Sequence, residues 1–256
     1  MSPKTRCIEC RFKAKTSERY YVTTVRVYKR EANVEIGHSH GRRHRFKHPL
    51  TCIVSGPSGS GKSSFTLRFV HHLDSLCTEP DFSGGIIWCY SEKSAVPREK
   101  LTSLHKNVSF HEGVPQNFGN EHGKPCLIFL EDLFNEVYTK DVCDLFTKGS
   151  HNRNISVILI TQNLFHQGRF CRDISLNAKY SVALKNVRDK SQFQYLAREV
   201  HPEDRDSLYM SYLEATERAH GYLILDFAQD TRPLEVSNQR LPGRISAHNL
   251  HADKEG

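Results

Sequence analysis

The chain has 256 residues, of which 38% are hydrophobic and 25% charged, and its formal net charge is +7. These values are typical of a globular chain with room for one large α/β domain plus an appendage, and they exclude a disordered protein. No apolar run approaches the ~20 residues needed to cross a bilayer, and residues 1–11 lack the apolar stretch of a signal peptide. We therefore expect an intracellular, non-secreted protein with no membrane partner.

The positive charge is concentrated at the N-terminus. Residues 1–45 contain 12 Lys/Arg and four Asp/Glu, a net charge of +8, whereas the remaining residues sum to −1. Clustered cations bind polyanions by releasing counterions from phosphates, so this segment predicts contact with nucleic acid; an arm that only aids solubility is the alternative. Alternation predicts one strand over residues 21–28, whereas residues 1–18 look irregular and 37–45 resemble a linker. We predict a basic extension over residues 1–46.

From Pro49 onward, predicted strands and helices alternate, which favours a mostly parallel central sheet flanked by helices. Two of the strands, over residues 126–130 and 155–161, are apolar enough to be buried on both faces. We expect one α/β domain over residues 47–240 and a polar tail over 241–256. The other predicted strands cover residues 50–55, 85–90, 107–111, 180–184 and 222–227, and the predicted helices cover 62–76, 141–148, 190–200 and 203–219.

The eight cysteines form no clear disulfide or metal pattern. Cys7 and Cys10 have half the spacing of a zinc site, but the histidines that follow fit no standard pattern, so two free thiols are the preferred interpretation. Four others fall in predicted strands or helices and are interpreted as small buried hydrophobes: Cys52, Cys89, Cys126 and Cys143.

A phosphate-binding loop is the strongest motif in the chain. Residues 56–63, Gly-Pro-Ser-Gly-Ser-Gly-Lys-Ser, match the pattern G-x-x-x-x-G-K-[ST] between a predicted strand and a predicted helix. Gly59 and Gly61 permit backbone angles that a Cβ would forbid, so consecutive N–H groups can form an anion nest at the helix N-terminus. Lys62 is expected to reach the β- and γ-phosphates of ATP, and Ser63 to ligate Mg²⁺. The predicted nucleotide-binding residues are Gly56, Pro57, Ser58, Gly59, Ser60, Gly61, Lys62, Ser63 and Ser64.

Two carboxylates, Glu131 and Asp132, follow the apolar strand over residues 126–130. In a Walker B arrangement one acid holds the Mg²⁺ shell and the next polarises water. The usual order is Asp first, so here Glu131 falls at the magnesium position and Asp132 at the base position; capping of a following helix is the alternative. The apolar strand over residues 155–161 leads into Gln162, whose amide is predicted to sense the γ-phosphate and the attacking water.

These segments together resemble a known family. They are residues 48–63 around the phosphate loop, Ile-Phe-Leu-Glu-Asp-Leu-Phe-Asn-Glu over 128–136, and Ile-Ser-Val-Ile-Leu-Ile-Thr-Gln-Asn-Leu-Phe-His-Gln over 155–167. They are similar to the FtsK/HerA class of P-loop motors, and within it to the poxvirus-type DNA-packaging ATPases of large DNA viruses and Maverick/Polinton elements. The resemblance covers about residues 47–235. It implies a RecA-like P-loop NTPase fold of the ASCE class and an ATP hydrolase that threads double-stranded DNA into a capsid.

The resemblance also implies a homo-oligomeric ring with active sites at the subunit interfaces. In such rings an arginine of the neighbouring subunit stabilises charge on the γ-phosphate. Arg153, just before the strand over residues 155–161, matches where this class tends to place that arginine, and Arg169 and Arg172 are the rivals. A capsid or portal protein is the further partner implied, and the host nucleus or virus assembly site is the expected location.

Two other functions stay open at the level of sequence. The phosphate loop also opens nucleotide and small-molecule kinases of the P-loop class, although residues 77–125 contain no clear arginine-rich lid. A DNA-binding relic that no longer hydrolyses ATP is the second alternative, and the intact Lys62, Ser63, Asp132 and Gln162 argue against it.

Overall fold

The computed structural model describes residues 9–16, 19–29, 45–78, 81–92, 94, 96–115, 118, 123–133, 138–150, 153–165, 170–202 and 205–227, with side chains from residue 45 onward. The described residues form nine strands, joined in one sheet, and seven α-helices. Every helix in those ranges is too short or too polar to cross a membrane. Cys7, Arg169 and the predicted tail over residues 241–256 lie outside them.

The strands are β1 (Glu9–Thr16), β2 (Arg19–Lys29), β3 (Thr51–Ser55), β4 (Gly85–Tyr90), β5 (Val108–Glu112), β6 (Cys126–Glu131), β7 (Ile155–Thr161), β8 (Tyr180–Leu184) and β9 (Tyr222–Asp226). The helices are α1 (Lys62–His71), α2 (Leu73–Leu76), α3 (Arg98–Leu104), α4 (Lys140–Asp144), α5 (Cys171–Leu176), α6 (Ser191–Val200) and α7 (Arg205–Ala215), and α4 continues as a π-helical turn over Leu145–Gly149. All seven strands predicted from residue 50 onward are therefore present. The predicted helix over residues 62–76 is divided at His72, and α3 and α5 were not predicted.

The sheet order is β1-β2-β9-β8-β3-β7-β6-β4-β5. The six strands from β8 to β5 run parallel, and β9 runs antiparallel to β8. One strand, β7, separates β3, which leads into the phosphate loop, from β6, which carries the acidic pair. The sheet is mostly parallel and flanked by helices, so the predicted fold class, a RecA-like P-loop NTPase (ASCE) domain, is confirmed.

The parallel strands define two opposite edges of the sheet. We call the edge where β3, β6, β7 and β8 end the site edge, because the phosphate loop, Glu131 and Gln162 all follow there. The edge where the same four strands begin is the far edge. In an open parallel sheet, ligands bind at the carboxyl ends of the strands, which is the site edge here.

The core occupies both faces of the sheet. In β6, Leu127 and Phe129 belong to the cluster that packs under α1, whereas Ile128 and Leu130 belong to the cluster that packs under α4. This alternation explains why β6 is apolar throughout, because neighbouring side chains enter different cores. A third cluster joins α6 and α7 to β8 and β9. The four cysteines interpreted as buried hydrophobes are all buried.

The N-terminal segment differs from its prediction. Residues 9–16, expected to be irregular, form β1, which pairs with residues 19–26 of β2 in an antiparallel hairpin. Only residues 26–29 of β2 pair with β9, with Arg26 opposite Asp226 at the far edge. The hairpin therefore extends beyond the far edge by residues 19–25 of β2, about 23 Å of strand. A separate extension over residues 1–46 stays a prediction.

Candidate nucleotide-binding site

The phosphate loop has the geometry that its sequence predicts. Gly59 and Gly61 have φ angles of +76° and +104°, which L side chains rarely adopt. Helix α1 begins directly after Gly61, so its unpaired N–H groups lie at the loop. The Gly56 N–H donates to the Thr161 carbonyl at 3.2 Å and ties the start of the loop to the end of β7. Together these features form a site that favours phosphate.

The Lys62 ammonium group lies inside this loop. Its Nζ donates to the carbonyl oxygens of Gly56 at 2.6 Å and Pro57 at 3.2 Å, and the residue is buried. Burial lowers the pKa of Lys62, whereas the negative charges of Asp132 and Glu131 oppose that shift. The two carboxylates therefore help to keep a buried cation charged at the position where phosphate oxygens are expected.

Glu131 is buried and lies against the first turn of α1. Its Oε2 accepts a 2.8 Å hydrogen bond from Trp88 Nε1, and its Oε1 accepts one from Ser63 Oγ at 3.5 Å. Burial raises the pKa of Glu131, and the Trp88 hydrogen bond is the largest opposing effect. Ser63 and Glu131 present two hard oxygen donors side by side, which is the donor chemistry that Mg²⁺ prefers. These two residues thus fit the predicted magnesium site.

The chain turns sharply after Glu131. Asp132 has a φ of +49°, and its N–H donates to the Ile160 carbonyl of β7 at 3.2 Å. Asp is one of the few residues that tolerate this left-handed conformation. The turn leaves Asp132 half-buried beside the buried Glu131, so the two acids occupy different environments. That difference is compatible with the predicted division of labour, which stays a prediction.

A cavity of about 760 Å³ lies against the phosphate loop. Besides the loop and Gln162, it is lined by residues of the β8–α6 loop and of the loop before β9. Both loops lie at the site edge, because β8 ends there and β9, which is antiparallel, begins there. The lining residues are Pro57, Ser58, Gly59, Ser60, Gln162, Lys185, Asn186, Val187, Arg188, Ala219 and His220.

Sequence reasoning missed several residues of this site. Trp88, Val187, Arg188 and His220 belong to no motif, and their positions follow only from the strand order. The end of the strand over residues 180–184 was a signal only for the loop with Val187 and Arg188, because a parallel neighbour of β3 ends beside the phosphate loop; nothing local indicated His220, which precedes the antiparallel β9.

The predicted arginines lie in different places. Arg153 is exposed in the turn before β7, at the far edge. The seven residues of β7, about 23 Å of strand, separate it from the loop of its own chain, which is more than an arginine side chain can bridge. Arg172 is exposed on α5 and lines a second, smaller cavity with Thr161. Arg153 is therefore not part of the site within its own chain.

Hydrogen bonds fix the turn that carries Arg153. Asn154 Oδ1 lies 2.7 Å from His48 Nε2, and Asn154 Nδ2 donates to the Gly123 carbonyl at 2.9 Å. His48 Nδ1 lies 2.6 Å from Ser156 Oγ, which in turn accepts from the Leu50 N–H at 3.0 Å. The network connects the start of β3 to the start of β7, so the far edge is rigid at this turn.

No protein-family model and no curated protein matches the chain. Among solved structures, the chain is similar to the genome packaging NTPase B204 from Sulfolobus turreted icosahedral virus 2 in complex with sulfate, with 12% identity, a TM-score of 0.45, and coverage of 72% of this chain and 94% of that chain. It is also similar to B204, the DNA-packaging ATPase from Sulfolobus Turreted Icosahedral Virus, with 11% identity, a TM-score of 0.44, and coverage of 69% and 91%. At this level of similarity, the assignment of function depends on the site itself.

Proposed function

We propose that this chain is an ATP-hydrolysing motor of the FtsK/HerA class that translocates double-stranded DNA, with genome packaging into a capsid as its task. The observation that carries the proposal is the meeting of three motifs at one edge of the sheet. Lys62 lies in a helix-terminal phosphate nest, Glu131 contacts Ser63, and Gln162 lines the cavity against the same loop. This combination matches hydrolysis of a nucleoside triphosphate.

Each residue has a defined task in the proposed reaction. Lys62 and the loop N–H groups bind the phosphates and hold negative charge on the β- and γ-oxygens. Ser63 and Glu131 would hold Mg²⁺, which when bound neutralises charge on the same oxygens. Asp132, half-buried beside them, accepts a proton from the attacking water, and the Gln162 amide orients that water. Arg153 lies at the far edge and cannot reach the phosphate loop of its own chain, so we propose that Arg153 of a neighbouring copy in a ring completes the site.

Phosphate release in the presence of linear duplex DNA tests the first half of the proposal. We expect DNA-stimulated hydrolysis that Lys62→Ala abolishes, because the phosphate charge loses its buried counter-ion. Lys106→Ala, which removes an exposed lysine remote from the loop, is the matched control and should leave the rate unchanged. Equal turnover in Lys62→Ala and the unmutated chain would refute the assignment, and transfer of phosphate to a small molecule instead of water would indicate a kinase.

Movement along DNA needs a separate measurement. ATP-dependent displacement of a third strand annealed to a linear duplex reports translocation directly, since a motor that moves strips the third strand. We expect displacement by the unmutated chain with ATP and none with a non-hydrolysable analogue. Hydrolysis without displacement on duplexes of any length would mean that the chain is an ATPase but does not translocate DNA.

A further inference from the structure

The cavity against the phosphate loop has two sides with different chemistry. Because β3 lies between β7 and β8, the loop has Gln162 and the acidic pair on its β7 side. On its β8 side it has Val187, in the loop that follows β8, and His220, in the loop that precedes β9. The volume of about 760 Å³ lies within the range of roughly 300–1,000 Å³ that small-molecule sites occupy. Both sides together can therefore accommodate a whole nucleotide.

The position of the catalytic residues orients the ligand. The phosphate that reacts must face Asp132 and Gln162, so the opposite end of the nucleotide faces the β8 side. We propose that the base and ribose of the bound nucleotide lie between Val187 and His220, and that the base is recognised through its faces, so that adenine and guanine bind alike. This inference rests on the proposed function, because that function sets which end of the ligand faces the acids.

Val187 is an exposed apolar residue on a rigid loop. Its side chain is 70% exposed, although the loop around it is well fixed. Asn186 Oδ1 accepts from the backbone N–H groups of Arg188 at 3.2 Å and Asp189 at 3.0 Å, and the Asn186 N–H donates to Tyr212 Oη at 3.0 Å. A branched apolar side chain that is held in place at the mouth of a polar phosphate site is a suitable surface for a flat base.

His220 supplies a ring on the other side. It has a φ of +57°, and its Nδ1 donates to the Ser60 carbonyl at 3.2 Å. The ring lies so close to Gly61 that a Cβ there would come within 3.1 Å of Nδ1. The adjacent Gly221 has no room for a side chain either, since a Cβ would lie 2.4 Å from the Ala215 carbonyl oxygen. The loop therefore holds the imidazole beside the phosphate loop.

Two of the polar residues that line the β8 side, Lys185 and Asn186, use hydrogen-bonding groups within the protein, which favours recognition by faces over recognition by edges. Lys185 Nζ donates to the Glu217 carbonyl at 2.7 Å, and the Lys185 N–H donates to the Gly221 carbonyl at 2.9 Å. Asn186 uses its N–H and Oδ1 as described above. Contact with an apolar surface and an aromatic ring accepts every base, because every base has a π-face.

Binding of ATP, GTP and inorganic tripolyphosphate to the full chain tests this inference. The variants are Val187→Ala, which removes the apolar surface, and His220→Asn, which removes the ring but tolerates the left-handed backbone. We expect each to weaken ATP and GTP about tenfold, the order expected for loss of one stacking partner, and to leave tripolyphosphate unchanged. Val187→Ile, which keeps the apolar surface, is the matched control and should bind all three ligands like the unmutated chain.

Three results would overturn the inference. Unchanged ATP affinity in both variants would place the base elsewhere, and parallel weakening of tripolyphosphate would mean that the residues only support the phosphate loop. An ATP-over-GTP preference of about 100-fold or more, well beyond the selectivity that stacking provides, would show edge recognition.

Failure of the proposed function gives a different result. A chain that binds these ligands with the expected pattern but releases no phosphate is not an ATPase, and the inference about its base site then still holds. Absence of all binding in the unmutated chain would refute both.

Discussion

The two edges of the sheet are built from the same strands but differ in how their polar groups are used. At the far edge, His48, Asn154 and Ser156 bond to one another and to backbone groups. At the site edge, Gln162 and the phosphate loop line one open cavity. The comparison indicates that the far edge holds the strands in register, while the site edge leaves Gln162 and the phosphate loop beside open space. It also means that a single chain cannot bring Arg153 to its own phosphate loop.

The largest expected effect tests whether the two edges cooperate between copies. Arg153→Ala should lower the hydrolysis rate by about 10³-fold or more, as loss of an arginine finger does elsewhere. Mixing this variant with Lys62→Ala should restore part of the activity, because some sites in mixed rings then combine an intact Lys62 with a neighbour's intact Arg153. Steady-state phosphate release across mixing ratios gives the result.

If the mixture recovers no hydrolysis activity although both variants fold and assemble, Arg153 does not complete the site of the neighbouring subunit. Arg172, which lies closer to the site edge, would then be tested in the same way. Arg153→Lys serves as the matched control for charge alone, since lysine keeps the cation but loses the planar fork that binds phosphate in a bidentate manner.

The next effect tests the division of labour within the site edge. Asp132→Asn should bind ATP normally but hydrolyse it about 10²-fold or more slowly, because the amide cannot accept a proton from water. Glu131→Gln should instead raise the Mg²⁺ concentration needed for activity, since it removes a charged oxygen beside Ser63. Nucleotide binding and single-turnover hydrolysis over a Mg²⁺ titration separate the two. A stalled Glu131→Gln together with an active Asp132→Asn would reverse the roles.

A smaller effect concerns the hairpin that extends past the far edge. Arg11, Lys13 and Lys15 occupy alternate positions of β1 and therefore share one face of the hairpin. Substitution of all three by Ala should make the slope of log affinity for duplex DNA against log salt shallower by about 2 to 3, because fewer counterions are released. Basal ATP hydrolysis should be unchanged, since β1 carries none of the catalytic motifs.

The control for this experiment changes the same charge elsewhere. Replacing Lys106, Lys140 and Lys148, all exposed, by Ala lowers the net charge equally and should leave the salt slope nearly unchanged. Identical slopes for both triple variants would assign the hairpin a role in solubility or protein contact. Substitution is preferable to deletion of residues 1–45, because deletion would also remove β2 from its pairing with β9.

The smallest effect concerns stability at the site edge. Burial raises the pKa of Glu131 above its ordinary value, so between the unfolded and folded pKa values the folded chain binds more protons and the free energy of unfolding falls as pH rises. Glu131→Gln removes this dependence and can still accept from Trp88. Thermal unfolding without nucleotide should show the variant to be more stable than the unmutated chain at pH 8, with the advantage shrinking towards acid. A pH-independent difference would contradict the shift.

The sequence predicted the parallel part of the fold well for a physical reason. Strands such as β6 and β7 are short apolar runs, and the sequence changes from apolar to polar within about one residue of each strand end. The helices α3 and α5 were not predicted because each is no more than seven residues long and has a single buried side chain. In β1, apolar residues alternate with basic ones, but the high charge led to an irregular prediction that the structure corrects.

The site divides in the same way. Lys62, Ser63, Glu131 and Gln162 could be named in advance because their motifs are contiguous in sequence and adjoin predicted strands. The pairing of Val187 with His220 could not be predicted, because it depends on β9 running antiparallel to β8, which no local pattern determines. The β7 side of the site was therefore predicted from the sequence, whereas the β8 side was identified only in the structure.

Trp88 has a consequence for how the site can be observed. It is the chain's one tryptophan, it is fully buried, and its ring stacks on Phe129 while its N–H donates to Glu131. Indole fluorescence depends on charge close to the ring, so emission from this chain reports on the state of a single carboxylate. Filling or emptying of the magnesium position should therefore change the intrinsic emission without any label, in every subunit of an assembly at once.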